Sequence, residues 1–544
     1  MTMRMVRASE PAHRMLTPPV EVDWLVVGSG FGGSVAALRL AEKGYRVAVL
    51  EAGRRYADED FAESAWQLAK YFWLPALGLR GILRLAPFKD IFVAAGTAVG
   101  GGSTVYANTL YRAKPEFFVD RQWRDLADWS AVLAPHYATA ERMLGVTEVP
   151  FESDAQRLLR GVAGHFGVEH TFTRTPVGVH FGPPDAPPTD PYFGGEGPPR
   201  AGCNRCGACM IGCRVGAKNT LLKNYLWFAE RRGAAIHANQ AVVDVRPAGA
   251  ADGSDGYVVT SERPGAWLNT NRRTWRARGV VFAAGALGTN ELLATLKHGG
   301  ALPRLSDRLG ALVRTNSESI LAVTLPDDSR QPWADVAISA SIHVDANTHI
   351  ELCTFGRHGD AMSLLLAPLT GNGTRVTRPV RLIAAALRHP LRFLRARIPF
   401  GWSKRALLVL VMQSHDNAIR FRAVKRWWRR RVRLATEQDS ARPNPTFIPA
   451  ANAAAEYLAA ATGGVAQSSF LEAAVNIPTT AHLLGGAAIG ADAAHGVVDQ
   501  QLRAFGYANM LVVDGSAMPA NPGVNPSLTI AALAEHAMAG VPSK

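Results

Sequence analysis

Cysteine is scarce in this sequence, and long apolar runs are missing. Only 5 of the 544 residues are cysteine, and four of them lie between Cys203 and Cys213. Such clustering is not the disulfide framework of a small secreted protein. No stretch reaches the roughly 18–20 consecutive apolar residues of a membrane-spanning helix. The segment 1–19 carries arginines but lacks the apolar stretch of a secretory signal. We therefore expect a cytoplasmic protein.

Acidic residues are nearly absent from one segment of the chain. Residues 375–433 contain 17 Lys and Arg and a single acid, Asp416, whereas the whole chain has 59 Lys and Arg against 45 Asp and Glu. The excess positive charge is therefore local, and we expect an anionic partner to bind there. With 19% charged and 48% hydrophobic residues, the composition excludes a disordered chain.

This basic segment alternates arginine with leucine, isoleucine and phenylalanine at helical spacing over 381–397, and Trp427 and Trp428 follow. An amphipathic helix with arginines on one side lies in lipid interfaces, and tryptophan favours the headgroup level. We expect a membrane-facing lid, peripheral at the inner membrane face. The alternative is a solvated charged face over a core helix. We expect no nucleic-acid partner, because no recognition fold accompanies the charge.

A glycine-rich turn near the start of the chain has the pattern G-x-G-x-x-G. Gly28, Gly30 and Gly33 stand between a predicted buried strand (24–27) and a helix, and Glu51 ends the next predicted strand (47–50). The glycines permit a tight turn, close approach of a pyrophosphate and close helix–strand packing. A carboxylate at Glu51 suits ribose hydroxyls and disfavours a 2′-phosphate. The turn predicts a dinucleotide site but does not separate NAD from FAD.

Several further motifs follow in order. They are the loop Gly100–Asn108, VVFAAGALGTNELL at 280–293, HLLGG at 482–486 and VVDGSAMP followed by GVNPSLTIAALAEH near the end. With the glycine turn, this set resembles the glucose–methanol–choline (GMC) oxidoreductases, FAD enzymes that oxidise alcohols. The resemblance runs from about residue 22 to 538. It is nearest an intracellular branch of the family that is similar to cholesterol oxidases.

The resemblance implies FAD in an elongated crevice. The ADP half would meet Gly28, Gly30, Gly33 and Glu51. The pyrophosphate and flavin would lie beside Gly100, Gly101, Gly102, Ser103, Asn108 and Asn525, and the ribityl–phosphate region beside Asp514 and Gly515. Consecutive glycines also let a backbone approach a flat ring or a phosphate without a Cβ clash.

The expected fold class is α/β, with a Rossmann-like FAD-binding domain interleaved with a mixed-sheet α+β substrate domain. The FAD-binding domain would comprise 20–115, 203–310 and 482–544. A cap region would span 116–202. The substrate domain would span 311–481 and contain the basic segment 375–433.

The resemblance places His482 and Asn525 where the family holds the substrate hydroxyl. Histidine suits removal of a hydroxyl proton, because its ordinary pKa lies near the operating pH. Asn525 would orient the hydroxyl. Glu351 matches a carboxylate with which cholesterol oxidases move the steroid double bond, and burial would raise its pKa. The alternative for Glu351 is a solvated glutamate on a strand.

The implied activity is oxidation of a hydrophobic alcohol to a ketone, with cholesterol or another 3-hydroxysteroid favoured, and with oxygen, a protein or a quinone as the electron acceptor. A second interpretation is a dehydrogenase of long-chain or terpenoid alcohols that passes electrons to a protein or quinone. A basic membrane- or nucleic-acid-binding protein would explain 375–433 but leave the flavin motifs without a role.

Cys203, Cys206, Cys209 and Cys213 give the spacing C-x₂-C-x₂-C-x₃-C. This spacing is typical of ferredoxin-type iron–sulfur clusters, although Arg214 stands where a proline is usual. Reduced structural thiols, a zinc site or a disulfide are the alternatives. The surrounding glycines disfavour a regular helix here. Cys353 is expected to be a small core residue.

Overall fold

A computed structural model of the chain describes residues 19–388, 390, 398–425 and 432–544. The N-terminal lead and the tryptophan pair of the basic segment therefore lie outside the described residues. The same holds for 391–397 of the helix predicted over 381–397. Among the described helices, none combines the length and apolarity needed to cross a bilayer.

The strands are distributed along the whole chain. In chain order they are β1 Val20–Val27, β2 Val47–Leu50, β3 Trp73–Leu74, β4 Leu79–Arg80, β5 Leu83–Pro87, β6 Phe92–Gly96, β7 Thr147–Glu148, β8 Thr173–Arg174, β9 Pro176–Val177, β10 Ala235–His237, β11 Ala241–Pro247, β12 Tyr257–Glu262, β13 Arg273–Phe282, β14 Ser319–Thr324, β15 Ile338–His343, β16 Thr348–Cys353, β17 Leu366–Pro368, β18 Ala406–Gln413, β19 Ile419–Val424, β20 Arg433–Gln438, β21 Val465–Ser469, β22 Thr479–Thr480 and β23 Met510–Val512.

The helices alternate with these strands. They are α1 Phe31–Glu42, α2 Leu68–Tyr71, α3 Pro115–Phe118, α4 Trp129–Leu144, α5 Asp154–Phe166, α6 Tyr225–Arg231, α7 Gly285–His298, α8 Thr377–Arg388, α9 Pro449–Thr462, α10 Phe470–Val475 and α11 Ser527–Ala539. Short 3₁₀ turns at Gly101–Thr104, Ala208–Met210 and Gly515–Ala517 lie in loops that the site uses.

The first sheet is parallel at its centre and mixed overall. Its order is β10-β2-β1-β13-β12-β11, and β23 also pairs with β13. The pairs β10–β2, β2–β1, β1–β13 and β13–β23 are parallel. The pairs β13–β12 and β12–β11 are antiparallel. β1 is longer than predicted, because Val20, Glu21 and Val22 extend its pairing with β13. Helices α1, α4 and α11 pack on this sheet in one core. The predicted Rossmann-like α/β layer is confirmed.

The second sheet has the order β17-β21-β14-β18-β16-β15-β8, and each of these pairings is antiparallel. Alternate side chains of β18 face opposite sides, as a pleated strand requires. Leu407 and Val409 pack against the core under α5 and α9, whereas Leu408 and Leu410 line a cavity between the two sheets. The second sheet therefore supplies an apolar roof to that cavity.

Candidate active site

The glycine turn forms as the sequence predicts, between β1 and α1. Gly28 has φ +97°, and a Cβ there would lie 2.3 Å from the carbonyl oxygen of Ala283. A Cβ on Gly33 would lie 2.1 Å from the Gly28 carbonyl oxygen. The turn thus needs glycine at both positions, one for its backbone conformation and one for close packing.

Glu51 lies buried at the end of β2 and closes onto the turn. Its Oε2 accepts hydrogen bonds from the Ser29 backbone N (3.0 Å) and Ser29 Oγ (2.7 Å). Its Oε1 accepts one from the Gly53 backbone N at 2.8 Å. Burial raises the pKa of Glu51 above its ordinary value. The Glu51 carboxyl group therefore stabilises the glycine turn through Ser29, and it also provides a hydrogen-bond acceptor next to that turn.

The second glycine loop packs directly against the first. A Cβ on Gly101, which has φ +51°, would lie 2.6 Å from the Cα of Gly30. The Gly100 backbone N donates to Ser29 Oγ at 3.0 Å. Ser103 Oγ donates to the Gly100 carbonyl oxygen at 2.6 Å and fixes the loop. Gly102 continues the loop on the cavity wall. Two loops from separate parts of the chain thus form one backbone-lined floor.

A cavity of about 370 Å³ lies over this floor. One side is formed by loop residues that include Gly30, Gly102, Asp514 and Gly515. The opposite side is largely apolar and includes Tyr71, Met210, Ile338, Phe355, Met362, Trp402, Leu408 and Leu410. His482, Asn525 and Glu318 also line it. The predicted catalytic pair therefore shares one space with four predicted cofactor residues, Gly30, Gly102, Asp514 and Gly515. The other predicted cofactor residues are not part of this lining: Gly28, Gly33, Glu51, Gly100, Gly101, Ser103 and Asn108.

His482 follows β22, and its side chain is 12% exposed. Its Nδ1 lies 3.3 Å from Oε2 of Glu318, within ion-pair range but off the line of a hydrogen bond. The His482 backbone N donates to Thr480 Oγ1 at 2.9 Å. Glu318 is a residue that the sequence analysis missed.

Asn525 precedes α11, and its Nδ2 donates to Oε2 of Glu351 at 3.3 Å. Its Oδ1 is buried without a hydrogen-bond partner in the described part of the chain. Glu351 is fully buried on β16 rather than solvated, and burial raises its pKa to about 8. It stands behind Asn525, outside the set of residues that line the cavity.

Asp514 lies in the loop after β23 and is also buried. Its Oδ2 accepts a hydrogen bond from Thr289 Oγ1 at 2.5 Å, and its Oδ1 accepts one from the Ser516 backbone N at 2.9 Å. Burial raises the pKa of Asp514 above its ordinary value. The bond to Thr289 ties the loop to α7, so Gly515 is held at the cavity wall.

The four clustered cysteines line a separate small cavity of about 10 Å³ with Asn108 and Lys218. All are free thiols, and burial raises the pKa of Cys203, Cys206 and Cys209. Lys218 Nζ donates to the carbonyl oxygens of Thr104 and Cys209. Nowhere in 19–388, 390, 398–425 or 432–544 do three or more Cys, His, Asp or Glu side chains converge as ligands for a single metal ion. The buried Asn108 side chain is unpartnered within these same ranges.

An open, basic depression of about 730 Å³ adjoins Glu51. It is lined by segment 236–240 and by Arg54, Arg80, Arg263 and Arg273. The Glu51 backbone N donates to the His237 carbonyl oxygen at 3.0 Å, which places this depression next to the predicted ribose-binding acid. The depression has no local signature in the sequence, because its arginines come from separate elements.

Family models match both parts of this arrangement. Residues 26–57 match an NAD(P)-binding Rossmann-like domain, and residues 403–534 match a model described as GMC oxidoreductase. With the relatives described next, these matches show that the chain belongs to the GMC oxidoreductase family. It is an FAD-dependent enzyme that oxidises alcohols. The floor of two touching glycine loops fits that cofactor, because backbone without a Cβ admits a phosphate or a flat ring.

Two relatives cover nearly the whole chain. A cholesterol oxidase of Mycobacterium tuberculosis is 47% identical over 541 residues, which is 96% of this chain and 92% of that one. A cholesterol oxidase of Acinetobacter baumannii is 45% identical over 531 residues, covering 96% and 95%. The predicted resemblance to the cholesterol-oxidase-like branch is confirmed.

A solved structure is similar in fold. Pyridoxine 4-oxidase from Mesorbium loti has a TM-score of 0.60 at 16% identity, covering 95% of this chain and 98% of that one. At this identity the likeness concerns the fold alone.

Proposed function

We propose that the protein oxidises the hydroxyl group of a sterol, with cholesterol or another 3-hydroxysteroid as substrate, to the ketone. The observation that carries this proposal is the cavity. Its roof is apolar, and His482 and Asn525 stand on its wall beside the glycine-lined floor. A hydrophobic alcohol would bury its ring system under the roof and leave its hydroxyl at these two side chains. The two cholesterol oxidases with near full-length similarity support the same substrate class.

In this proposal His482 is the general base and Asn525 orients the hydroxyl. The hydroxyl proton passes to the imidazole, and the carbinol carbon loses a hydride as the C=O bond forms. FAD, when bound, accepts that hydride. Asn525 Nδ2 uses one of its two hydrogens on Glu351, so the other is available to donate to the substrate oxygen. That bond strengthens as negative charge develops on the oxygen, so it favours the transition state.

The cofactor would rest on the two glycine loops. Gly28, Gly30, Gly33 and Glu51 would hold its ADP half, since they form a helix N-terminus with an acid beside it. The rest would lie along the second loop and the β23 loop, beside Gly100, Gly101, Gly102, Ser103, Asn108, Asp514, Gly515 and Asn525. The absence of side chains on the touching glycines supports this assignment.

Glu351 would isomerise the product by taking a proton from the carbon between the new ketone and the double bond and returning it to the far carbon of that double bond, which brings the double bond into conjugation with the ketone. Its support is the raised pKa, since a base of that strength can take a proton from a carbon activated by a carbonyl group. The amide of Asn525 lies between the Glu351 carboxyl group and the cavity. The isomerisation therefore depends on a shift of Asn525.

An alcohol panel tests the proposed function. The purified flavoprotein is assayed with cholesterol, other 3-hydroxysteroids, long-chain alcohols and terpenoid alcohols, each with oxygen and with an artificial electron acceptor. We expect the highest kcat/KM for a 3-hydroxysteroid with oxygen, and hydrogen peroxide as co-product. Preference for a straight-chain or terpenoid alcohol, or turnover with the artificial acceptor alone, would favour the second candidate.

That second candidate is a dehydrogenase of non-steroid alcohols that passes electrons through an iron–sulfur cluster to a protein or quinone. It is favoured by one observation: all four clustered thiols line the same small cavity as Asn108, next to the second glycine loop. Iron and acid-labile sulfide analysis of anaerobically purified protein tests it. We expect iron in the wild type and in Cys353→Ser, and its loss in Cys206→Ser, if the cluster exists. Iron-free protein with full activity would exclude it.

The basic segment would bind an anionic membrane surface and form a lid, which would give a cytoplasmic protein at the inner membrane face. Val376, Val380, Ile383 and Leu387 recur at helical spacing on and beside α8, and each is at least 60% exposed. Arg378 faces inward and pairs with Glu472 of α10 at 3.1 Å. Because α8 packs on β17 and α10, it stands close to cavity residues Leu366 and Ser469.

Vesicle flotation tests the membrane proposal. We expect the protein to float with anionic vesicles and less with neutral ones, because arginines and an apolar face act together. The double variant Ile383→Asp, Leu387→Asp should stay at the bottom of the gradient. Val119→Asp, which changes an equally exposed apolar residue elsewhere, should float like the wild type. Equal behaviour of both variants would contradict the proposal.

A further inference from the structure

Glu318 is a buried carboxyl group next to the predicted catalytic histidine. Its side chain is fully buried, and its Oε2 lies 3.3 Å from His482 Nδ1. The same oxygen accepts hydrogen bonds from Thr480 Oγ1 and from the Ala481 backbone N, both at 2.7 Å. Its Oε1 has no partner within the described residues. The carboxyl group thus binds the chain on the N-terminal side of His482 and faces one nitrogen of its ring.

The backbone before Glu318 is strained. Asn316 and Ser317 have φ values of +57° and +43°, the left-handed region that non-glycine residues rarely adopt. Such conformations persist only where surrounding contacts enforce them. Two in succession turn the chain sharply into β14. This bend directs the Glu318 side chain toward His482.

The contacts that enforce the bend come from both predicted catalytic segments. The Arg314 backbone pairs with that of Leu484, two residues after His482. Asn316 Nδ2 donates to the Val524 carbonyl oxygen at 2.9 Å, and Asn316 Oδ1 accepts from the Gly523 backbone N at 2.9 Å. Val524 is the neighbour of Asn525. Residues 314–318 therefore fix the segment of His482 and that of Asn525 relative to each other.

We propose that Glu318 is a positioning residue that acts through His482. Its carboxylate holds the imidazole with Nδ1 turned toward it, which leaves Nε2 as the nitrogen that takes the substrate's hydroxyl proton. This inference rests on the proposed function, in which His482 is the base.

In the step that Glu318 assists, the alcohol loses a proton and a hydride. The hydroxyl O–H bond breaks and an Nε2–H bond forms, while the carbinol hydride leaves for the cofactor. The imidazole becomes an imidazolium, and the carboxylate of Glu318 stabilises its positive charge at short range. With the carboxylate 3.3 Å from Nδ1, the tautomer that carries its hydrogen on Nδ1 is favoured, so the ring keeps the same tautomer between turnovers.

Glu318→Gln tests the proposal, because glutamine keeps the shape and an acceptor for Thr480 and Ala481 but removes the charge. We expect the rate constant of flavin reduction by the alcohol to fall about 10–100-fold, as for carboxylates that orient other functional histidines. KM should stay within about twofold, since the loss falls on the transition state. Glu318→Asp keeps the charge but holds it one methylene further from the imidazole. Its rate constant of flavin reduction should therefore lie between those of the wild type and Glu318→Gln.

A double variant separates action through His482 from an independent role. If Glu318 acts through the imidazole, Glu318→Gln adds no further loss of rate in a His482→Ala background. If the two losses multiply, Glu318 contacts the substrate on its own account and the proposal is wrong. Full activity of His482→Ala alone would instead overturn the proposed function, so the two failures are distinguishable.

Glu535→Gln is the matched control. Glu535 is also a buried carboxyl group, bonded to Arg39 and Tyr225 between α11, α1 and α6. Its removal should lower the melting temperature without changing the rate of flavin reduction. A rate loss in Glu318→Gln no larger than in Glu535→Gln would show that any buried carboxyl has this effect, and would overturn the proposal.

Discussion

Asn525 donates a hydrogen bond from Nδ2 to Oε2 of Glu351 at 3.3 Å, which joins a predicted catalytic amide to a fully buried carboxyl group. The bond to Glu351 therefore fixes the orientation of the Asn525 amide group. We expect Asn525→Ala to lower kcat about 10–100-fold, because the substrate hydroxyl loses its orienting group. Rates are compared per bound flavin, because Asn525 is also proposed to lie beside the cofactor. Steady-state assays check this, with exposed Asn269→Ala as the control. A wild-type rate in Asn525→Ala would contradict the role.

The buried acid Glu351 should make stability depend on pH. Because burial raises its pKa to about 8, the folded state keeps the proton that the unfolded chain releases near pH 4.5. This stabilising contribution is complete below about pH 4.5 and is lost as pH rises through 8. Glu351→Gln lacks the effect. The melting temperature of the variant relative to the wild type should therefore rise from pH 5 through pH 7 to pH 9. A difference that is constant with pH would contradict this.

The same carboxyl group should control product identity. If Glu351 moves the double bond, it must first lose its proton, so the fraction of isomerised ketone should rise with pH through about 8. Glu351→Gln should still oxidise the alcohol but release the unisomerised ketone. Chromatography of the products checks both points. Unchanged isomerisation in the variant would remove Glu351 from the reaction.

Contact between the two glycine loops should be needed for cofactor binding. Gly101→Ala places a methyl group 2.6 Å from the Cα of Gly30, so one loop must move. We expect most bound flavin to be lost, measured as the ratio of flavin to protein absorbance. Gly167→Ala is a matched control, because Gly167 also has positive φ, +68°, but open space around it. That variant should lose about 1–2 kcal/mol of stability and keep its flavin. Equal flavin loss in both variants would show that backbone strain alone is responsible.

Local patterns predicted the cofactor half of the molecule well. β2 has the predicted bounds, and the turn at Gly28 needs the conformation that its glycine allows. Such features depend on residues close in sequence, so spacing and residue type are enough to predict them. The predicted helix over 381–397 is observed as α8 as far as Arg388.

Features that depend on distant segments were not predictable in the same way. Glu318 precedes a strand in an ordinary polar stretch, and its importance comes from a left-handed bend and from contacts with segments 480–482 and 521–524. The burial of Glu351 likewise follows from its place in the middle of the second sheet, between β15 and β18. The order of that sheet is set by long connections that carry no local signal.

Anaerobic flavin reduction by cholesterol, or by the best sterol of the panel, measures the role of His482 at the chemical step itself. Stopped-flow absorbance follows bleaching of the flavin band in the wild type and in His482→Ala, both loaded with FAD. With His482 as the base, we expect reduction to be about 10²–10⁴-fold slower in the variant, with flavin content unchanged. Equally fast bleaching in the two proteins, or no bleaching by any sterol in the wild type, would contradict the account.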